Sequence, residues 1–235
     1  MDNNRIELKV FPSLDDLSKA AANIFTGMIN SDGENTFIVP GGSTPHLFYQ
    51  HLAEKVTDWS DVTLIPSDER LVDETSAEST IGMIRKTLMQ RIGVRDMPTL
   101  FSIIDGIIIP KSDQVLATLN SKLKNRMPAK AVFLGIGRDG HTASLFPDDE
   151  KNCCIDKPLF FAHRSSELFQ RVSISAIFLA KTLRLIFLVS GERKRPVMKK
   201  IFINNKRSDY LPVMHVIKKA TGRVTVFCDQ DAAPY

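Results

Sequence analysis

The sequence predicts an α/β fold of three layers, a mostly parallel sheet with helices on both faces. Three observations predict it. Short apolar runs such as Thr36–Val39, Ala131–Leu134 and Leu185–Val189 have the unbroken hydrophobicity of strands buried on both sides. Segments with apolar residues at helical spacing alternate with these runs along the chain. Several runs end abruptly in turns rich in glycine or charge, and the carboxyl ends of parallel strands are where such sheets bind ligands.

In chain order, Ile6–Phe11 reads as a first strand. Ser13 is expected to cap the helix that follows, with Asp15 and Asp16 in the first turn, where acids favour the helix dipole. Leu14, Leu17, Ala21, Ile24 and Met28 form its apolar stripe, and Asp32-Gly33 ends the unit. Thr36–Val39 runs into Pro40-Gly41-Gly42-Ser43-Thr44-Pro45 and then a helix bearing Leu47, Phe48 and Leu52. Thr44 is the expected N-cap and Pro45 the first helical residue. Val62–Pro66 is a strand followed by Ser67-Asp68-Glu69-Arg70, three charges at a strand end that suit a site or a surface loop. Ser76–Ile92 is expected to be helical, Thr99–Ile104 a strand, and Asp113–Met127 an amphipathic helix. After the central run, Leu159–Ala162 and Arg171–Ser175 read as strands and Ala176–Lys181 as a helical turn. Leu185–Val189 ends in Ser190-Gly191-Glu192-Arg193-Lys194, a helix over Arg193–Ile203 follows, and Arg223–Cys228 is the final strand. No repeat, low-complexity tract or linker divides the 235 residues, so one domain over 1–235 is expected.

Composition narrows the function. No apolar run approaches the roughly 18 residues of a spanning helix, and Met1–Arg5 is polar, unlike the start of a signal peptide. Cys153, Cys154 and Cys228 form no CxxC and no even framework, which favours a reduced, cytoplasmic setting. Much of the net charge of +4 lies in Arg193–Arg207. Most of it reads as a solvated helix face, without the wide patch or module of a nucleic-acid binder. A positive field of this size also steers a small anionic substrate.

Two turns carry chemistry. Gly41, Gly42, Ser43 and Thr44 join a strand to a helix start, where free N–H groups and the helix dipole favour an anion. Gly135-Ile136-Gly137-Arg138-Asp139-Gly140-His141 follows the central strand and sets one carboxylate and one imidazole two residues apart among glycines. That is the equipment of proton transfer. GIGRDG also fits GxGxxG, but no long helix opens from it. The acid at about the right distance, Asp156, follows Cys153-Cys154-Ile155 and not a strand. His46, His51, His141, His163 and His215 show no HxxxH or HExxH spacing, and GxSxG is absent. Neither a metal site nor a serine nucleophile is expected, and no cofactor.

Four blocks together resemble the 6-phosphogluconolactonases, within the wider family that includes the glucosamine-6-phosphate deaminases. They are PGGSTPHLFYQHL at Pro40–Leu52, SDERLV with AESTIGMIR at Ser67–Arg85, GIGRDGHTASLFP at Gly135–Pro147, and RVSIS with VSGERK at Arg171–Lys194. The likeness runs from Phe37 to about Ala233. Asp73 stands where the family more usually has proline. The resemblance implies a Rossmann-like sheet of the sugar-phosphate isomerase/CoA-transferase type. It also separates the two activities. Deaminases have DEY where this chain has Asp68-Glu69-Arg70, and FNEP where it has Ser144-Leu145-Phe146-Pro147. The deaminase glutamate therefore falls on Phe146, which cannot shuttle a proton.

The resemblance implies hydrolysis of a phosphorylated sugar lactone. His141 would be the general base, and Asp139 would orient the ring or bind a sugar hydroxyl. Arg70 would stabilise developing negative charge or grip the phosphate. Gly41, Gly42, Ser43, Thr44, Asp68, Arg171 and Lys194 would hold the phosphorylated substrate. The alternatives are a glucosamine-6-phosphate deaminase and a non-catalytic sugar-phosphate sensor. Neither nucleic acid nor membrane is expected as a partner, and monomer or dimer stays open.

Overall fold

The computed structural model describes residues 6–29, 34–93, 97–104, 113–148, 153–164, 168–203 and 210–235. Asp32-Gly33, Met1–Arg5, Lys206 and Arg207 lie outside them. Ten strands and seven helices follow one another among the described residues: β1 (Ile6–Phe11), α1 (Leu14–Ile29), β2 (Asn35–Val39), α2 (His46–Lys55), β3 (Val62–Pro66), β4 (Asp68–Arg70), α3 (Thr80–Thr87), β5 (Thr99–Leu100), α4 (Asp113–Lys124), β6 (Ala129–Gly135), β7 (Leu159–Ala162), β8 (Arg171–Ile174), α5 (Ala176–Ala180), β9 (Thr182–Val189), α6 (Arg195–Phe202), α7 (Pro212–Lys219) and β10 (Arg223–Asp229).

Seven strands form one sheet in the order β1-β10-β9-β6-β2-β3-β5, and every pairing in it is parallel. Alternate residues of each central strand feed opposite cores. Phe37, Val39, Leu64, Phe133, Ile186 and Phe227 pack with the buried faces of α1 and α2. Ile38, Ile65, Val132, Leu134, Phe187 and Val226 pack on the other side with α4 to α7. This two-sided burial is why the strands lack a polar alternation. On the first face Phe25 stacks on Phe37 with centroids 4.0 Å apart and lies 5.8 Å from Trp59 and 5.9 Å from Phe133. This aromatic knot clamps α1 to the sheet.

A second, antiparallel sheet, β4-β8-β7, lies beside the first. Of the two readings of Asp68-Glu69-Arg70, a site or a surface loop, the loop is excluded: these residues form a strand, one residue after β3 ends. Other boundaries also shift. The helix expected over Ser76–Ile92 starts late, capped by Ser79, which accepts a hydrogen bond from the Gly82 N–H at 2.9 Å, and gives way to a 3-10 turn at Met89–Arg91. Pro45 occupies the capping position of α2 and no side chain caps it, so Thr44 does not have the expected role. Only Thr99–Leu100 of the expected strand pairs. A 3-10 turn at Glu192–Lys194 precedes α6. α7 was not anticipated, although Val213, Met214, Val216 and Ile217 recur at helical spacing behind Pro212. Ser13 does cap α1, accepting from the Asp16 N–H at 3.2 Å. Among the described residues no helix is long and apolar enough to cross a membrane.

Candidate active site

The strand order fixes where a ligand can sit. From β2 the chain goes outward to β3, whereas from β6 it goes the other way to β9 and β10. β2 and β6 are neighbours, so their carboxyl ends diverge at a topological switch point and leave a crevice. A cleft of about 660 Å³ opens there. Its walls are the turn after β2 (Gly41, Gly42, Ser43 and Thr44), the turn after β6 (Gly135 to His141), and the turn after β9 (Ser190 to Lys194). The small sheet closes the remaining side with Asp68, Arg70 and Arg171.

The turn after β6 is folded on itself. The Gly137 N–H donates to the His141 carbonyl at 2.7 Å, and the Gly140 N–H donates to the Gly137 carbonyl at 3.0 Å. Gly140 has φ +88° and lies against Leu211, which leaves no room for a side chain. A Cβ on Gly137 would stand 2.1 Å from His141 Nδ1. The imidazole therefore needs a glycine there in order to reach Asp139. Nδ1 lies 2.6 Å from Asp139 Oδ1, and the His141 N–H also donates to that oxygen at 3.2 Å. Burial alone would push the Asp139 carboxyl upward. The His141 hydrogen bond and the charges of His141 and Arg164 outweigh it, and hold the carboxyl well below the usual carboxylate range. An ionised Asp139 only accepts, so Nδ1 is the ring nitrogen that donates to it. The imidazole rests 5.4 Å from the ring of Phe146.

The small sheet presents its charges in register. Arg70 pairs with Arg171 and Asp68 with Ser173 across β4 and β8. Asp68 is committed to the protein: Oδ1 accepts from Ser67 Oγ at 3.0 Å, and Oδ2 accepts from Ser144 Oγ at 2.6 Å and Arg171 Nη1 at 3.4 Å. Its carboxylate aims Arg171 while still bordering the cleft. Glu69 is 0% exposed yet well supplied with donors. Oε1 accepts from the Arg70 and Thr80 N–H groups at 2.7 and 2.8 Å, and Oε2 from the Ile81 N–H and Ser79 Oγ at 2.7 and 3.1 Å. Burial still outweighs these bonds and pushes its carboxyl up. Glu69 ties β4 to the start of α3 and so fixes the backbone of Arg70, whose Nη1 donates to the Glu78 carbonyl at 3.0 Å.

On the opposite wall Lys194 donates to the Ile136 carbonyl at 2.5 Å. Burial, then the charge of Arg138, lowers its ammonium from the ordinary lysine value, and Asp139 partly restores it. Gly191 has φ +91°, and Asp229 shapes this turn, accepting from Ser190 Oγ at 2.5 Å and from the Gly191 N–H at 3.1 Å.

Every candidate named from the sequence thus borders this one cleft, except Asp139, which stands behind His141. Four residues were missed: Arg138 and Arg193 on the rim, Asp229 beneath the last turn, and Arg164, whose Nη2 is 2.8 Å from Asp139 Oδ2. The first two adjoin recognised motifs. Arg164 had no local signal. Among the described residues no group of three or more His, Cys, Asp or Glu is placed to hold a metal ion.

A family model described as glucosamine-6-phosphate isomerases/6-phosphogluconolactonase matches residues 13–226. The chain is 29% identical to a 6-phosphogluconolactonase of Caulobacter vibrioides over 94% of this chain and 96% of that one. It is 30% identical to a 6-phosphogluconolactonase of Neisseria meningitidis serogroup A, covering 77% and 80% of the two chains. The crystal structure of 6-phosphogluconolactonase from Leishmania guyanensis superposes with a TM-score of 0.81 at 25% identity, covering 96% of this chain and 97% of that one.

Proposed function

The chain belongs to the glucosamine-6-phosphate isomerase/6-phosphogluconolactonase family, and we propose that within it the protein hydrolyses 6-phospho-D-glucono-1,5-lactone to 6-phospho-D-gluconate. One observation carries this reading: an imidazole buttressed by an ionised aspartate borders a cationic cleft and has a phenyl ring, Phe146, where the deaminases have a carboxylate.

The chemistry follows from the groups. The phosphate lies against the backbone N–H groups of Gly41 to Thr44, with Arg171 and Lys194 adding charge-assisted bonds of about 1.5–3 kcal/mol each. Nε2 of His141 takes a proton from water, and the water oxygen attacks C1 of the lactone. The tetrahedral intermediate collapses with cleavage of the bond from C1 to the ring oxygen. The imidazolium returns its proton to that oxygen, which becomes the hydroxyl of the open chain. Asp139 stabilises the transient imidazolium without taking its proton, as in other aspartate–histidine pairs. Arg70 lies beside Arg171 in the strand register, which favours the phosphate over the oxyanion as its partner. The thiols of Cys154 and Cys228 are unbridged, which supports a reducing, cytoplasmic setting.

The test is a coupled assay with lactone generated freshly in the cuvette and corrected for spontaneous opening. Product formation well above the spontaneous rate is expected. Ammonia release from glucosamine 6-phosphate faster than lactone opening would overturn the reading, as would tight binding of 6-phosphogluconate with no turnover.

A further inference from the structure

We propose that Arg164 is a positioning residue for the imidazole base, an inference that rests on the lactonase reading above. Arg164 lies two residues beyond the end of β7, while Asp139 and His141 lie in the turn after β6. Its Nη2 is 2.8 Å from Asp139 Oδ2, the oxygen that His141 does not use. Among the described residues that buried oxygen accepts no hydrogen bond. The guanidinium is thus paired with it by charge and proximity. The Arg164 side chain is only 23% exposed. Its guanidinium lies 5.2 Å from the ring of Phe146, and that ring lies 5.4 Å from His141. Arg164 therefore reaches the base through the carboxylate, and the phenyl ring beside the base holds the guanidinium in place.

The physical need is specific. A carboxylate held by one oxygen can rotate about its terminal torsion, which is broad and soft. A cation on the second oxygen fixes its plane. Against burial, the ionisation of the carboxyl rests chiefly on its hydrogen bond with His141, to which the Arg164 charge adds; what Arg164 supplies is the orientation that keeps Oδ1 facing Nδ1–H. Among the described residues the other charges facing Arg164 are the exposed Asp148, 3.6 Å from Nε, and Arg171, which approaches the same phenyl ring at 5.6 Å. Asp148 is 73% exposed and is too well solvated to hold the guanidinium in place. The ion pair with Asp139 and the phenyl contact do so.

The experiment compares wild type, Arg164→Met, Arg164→Lys, Asp139→Asn and the Arg164→Met/Asp139→Asn double variant, each first shown to be folded by circular dichroism. With freshly generated lactone, Arg164→Met is expected to lower kcat about 10- to 100-fold, the scale of a misplaced catalytic group, with KM within about twofold. Arg164→Lys keeps the charge and recovers most of the loss. In the Asp139→Asn background Arg164→Met costs less than about twofold more, because a residue acting through Asp139 is not additive with it. A wild-type kcat in Arg164→Met, an equal loss in both backgrounds, or a rise in KM alone would each overturn the proposal. A second readout needs no turnover. In 15N-labelled histidine spectra the His141 signal is expected to be a single Nδ1–H tautomer in wild type and a mixture in Arg164→Met. An unchanged signal in Arg164→Met overturns the role of Arg164 even if the wild type proves inactive on the lactone. A wild type that is inactive but shows the expected spectral change overturns only the lactonase reading. Arg164→Gln, which also removes the charge, carries the spectral test if Arg164→Met does not fold.

Discussion

The two sheets build the cleft in different ways. The seven-stranded parallel sheet contributes turns: backbone N–H groups after β2, the dyad after β6 and a lysine after β9. Its central strands are mostly apolar and serve chiefly to aim those turns. The three-stranded antiparallel sheet contributes side chains from within the strands themselves, Asp68 and Arg70 on β4 and Arg171 on β8. A turn can be altered while the sheet beneath it stands, whereas a charged strand residue holds both a pairing and the site. Substitutions at the parallel-sheet turns should therefore damage function and spare the fold, and those in the small sheet should damage both.

The largest effect is expected at the dyad. His141→Ala should lower kcat about 10²- to 10⁴-fold with little change in thermal midpoint, measured after subtracting spontaneous lactone opening. An alanine variant as active as wild type removes the base from the scheme. Next comes Arg70→Met, which should raise KM about tenfold at nearly constant kcat, the cost of one charge-assisted bond. A fall in kcat alone would move Arg70 from the phosphate to the developing oxyanion.

Glu69→Gln tests the small sheet as structure. Both carboxylate oxygens already accept N–H or O–H bonds, so the new amide must turn its NH₂ towards donors. Urea unfolding should show a loss of about 1–3 kcal/mol. An unchanged midpoint would mean that β4 does not depend on this anchor. The smallest effect is a pH dependence. The Asp139 carboxyl is held below its ordinary value of 3.8, so its stabilising contribution is complete above about pH 4 and disappears as acid is added. The gap in thermal midpoint between wild type and Asp139→Asn should therefore be widest near neutrality and close below that range. A gap independent of pH would mean that the anion is not what stabilises the turn.

The same contrast explains what the sequence disclosed. The parallel strands announce themselves as apolar runs, and the turns at Gly41–Thr44 and Gly135–His141 as glycines beside polar groups, so that half of the site was legible. β4 and β8 are three and four residues long and carry charge. Their pairing joins positions about a hundred residues apart, which local periodicity does not encode. Arg164 is harder still, because its partner lies on another loop and nothing beside it distinguishes it from a solvated arginine. α7 was different. Its spacing was present in the sequence and went unread.

Asp229 ends β10, and it is also the group that bends the Ser190-Gly191 turn around the cleft. β10 is also the strand that β1 pairs with, bridging it to β9. β10 thus serves two distant parts of the molecule at once: a polypeptide cut short before Arg223 loses both the partner of its first strand and the carboxylate that shapes the rim, and is left without a working pocket.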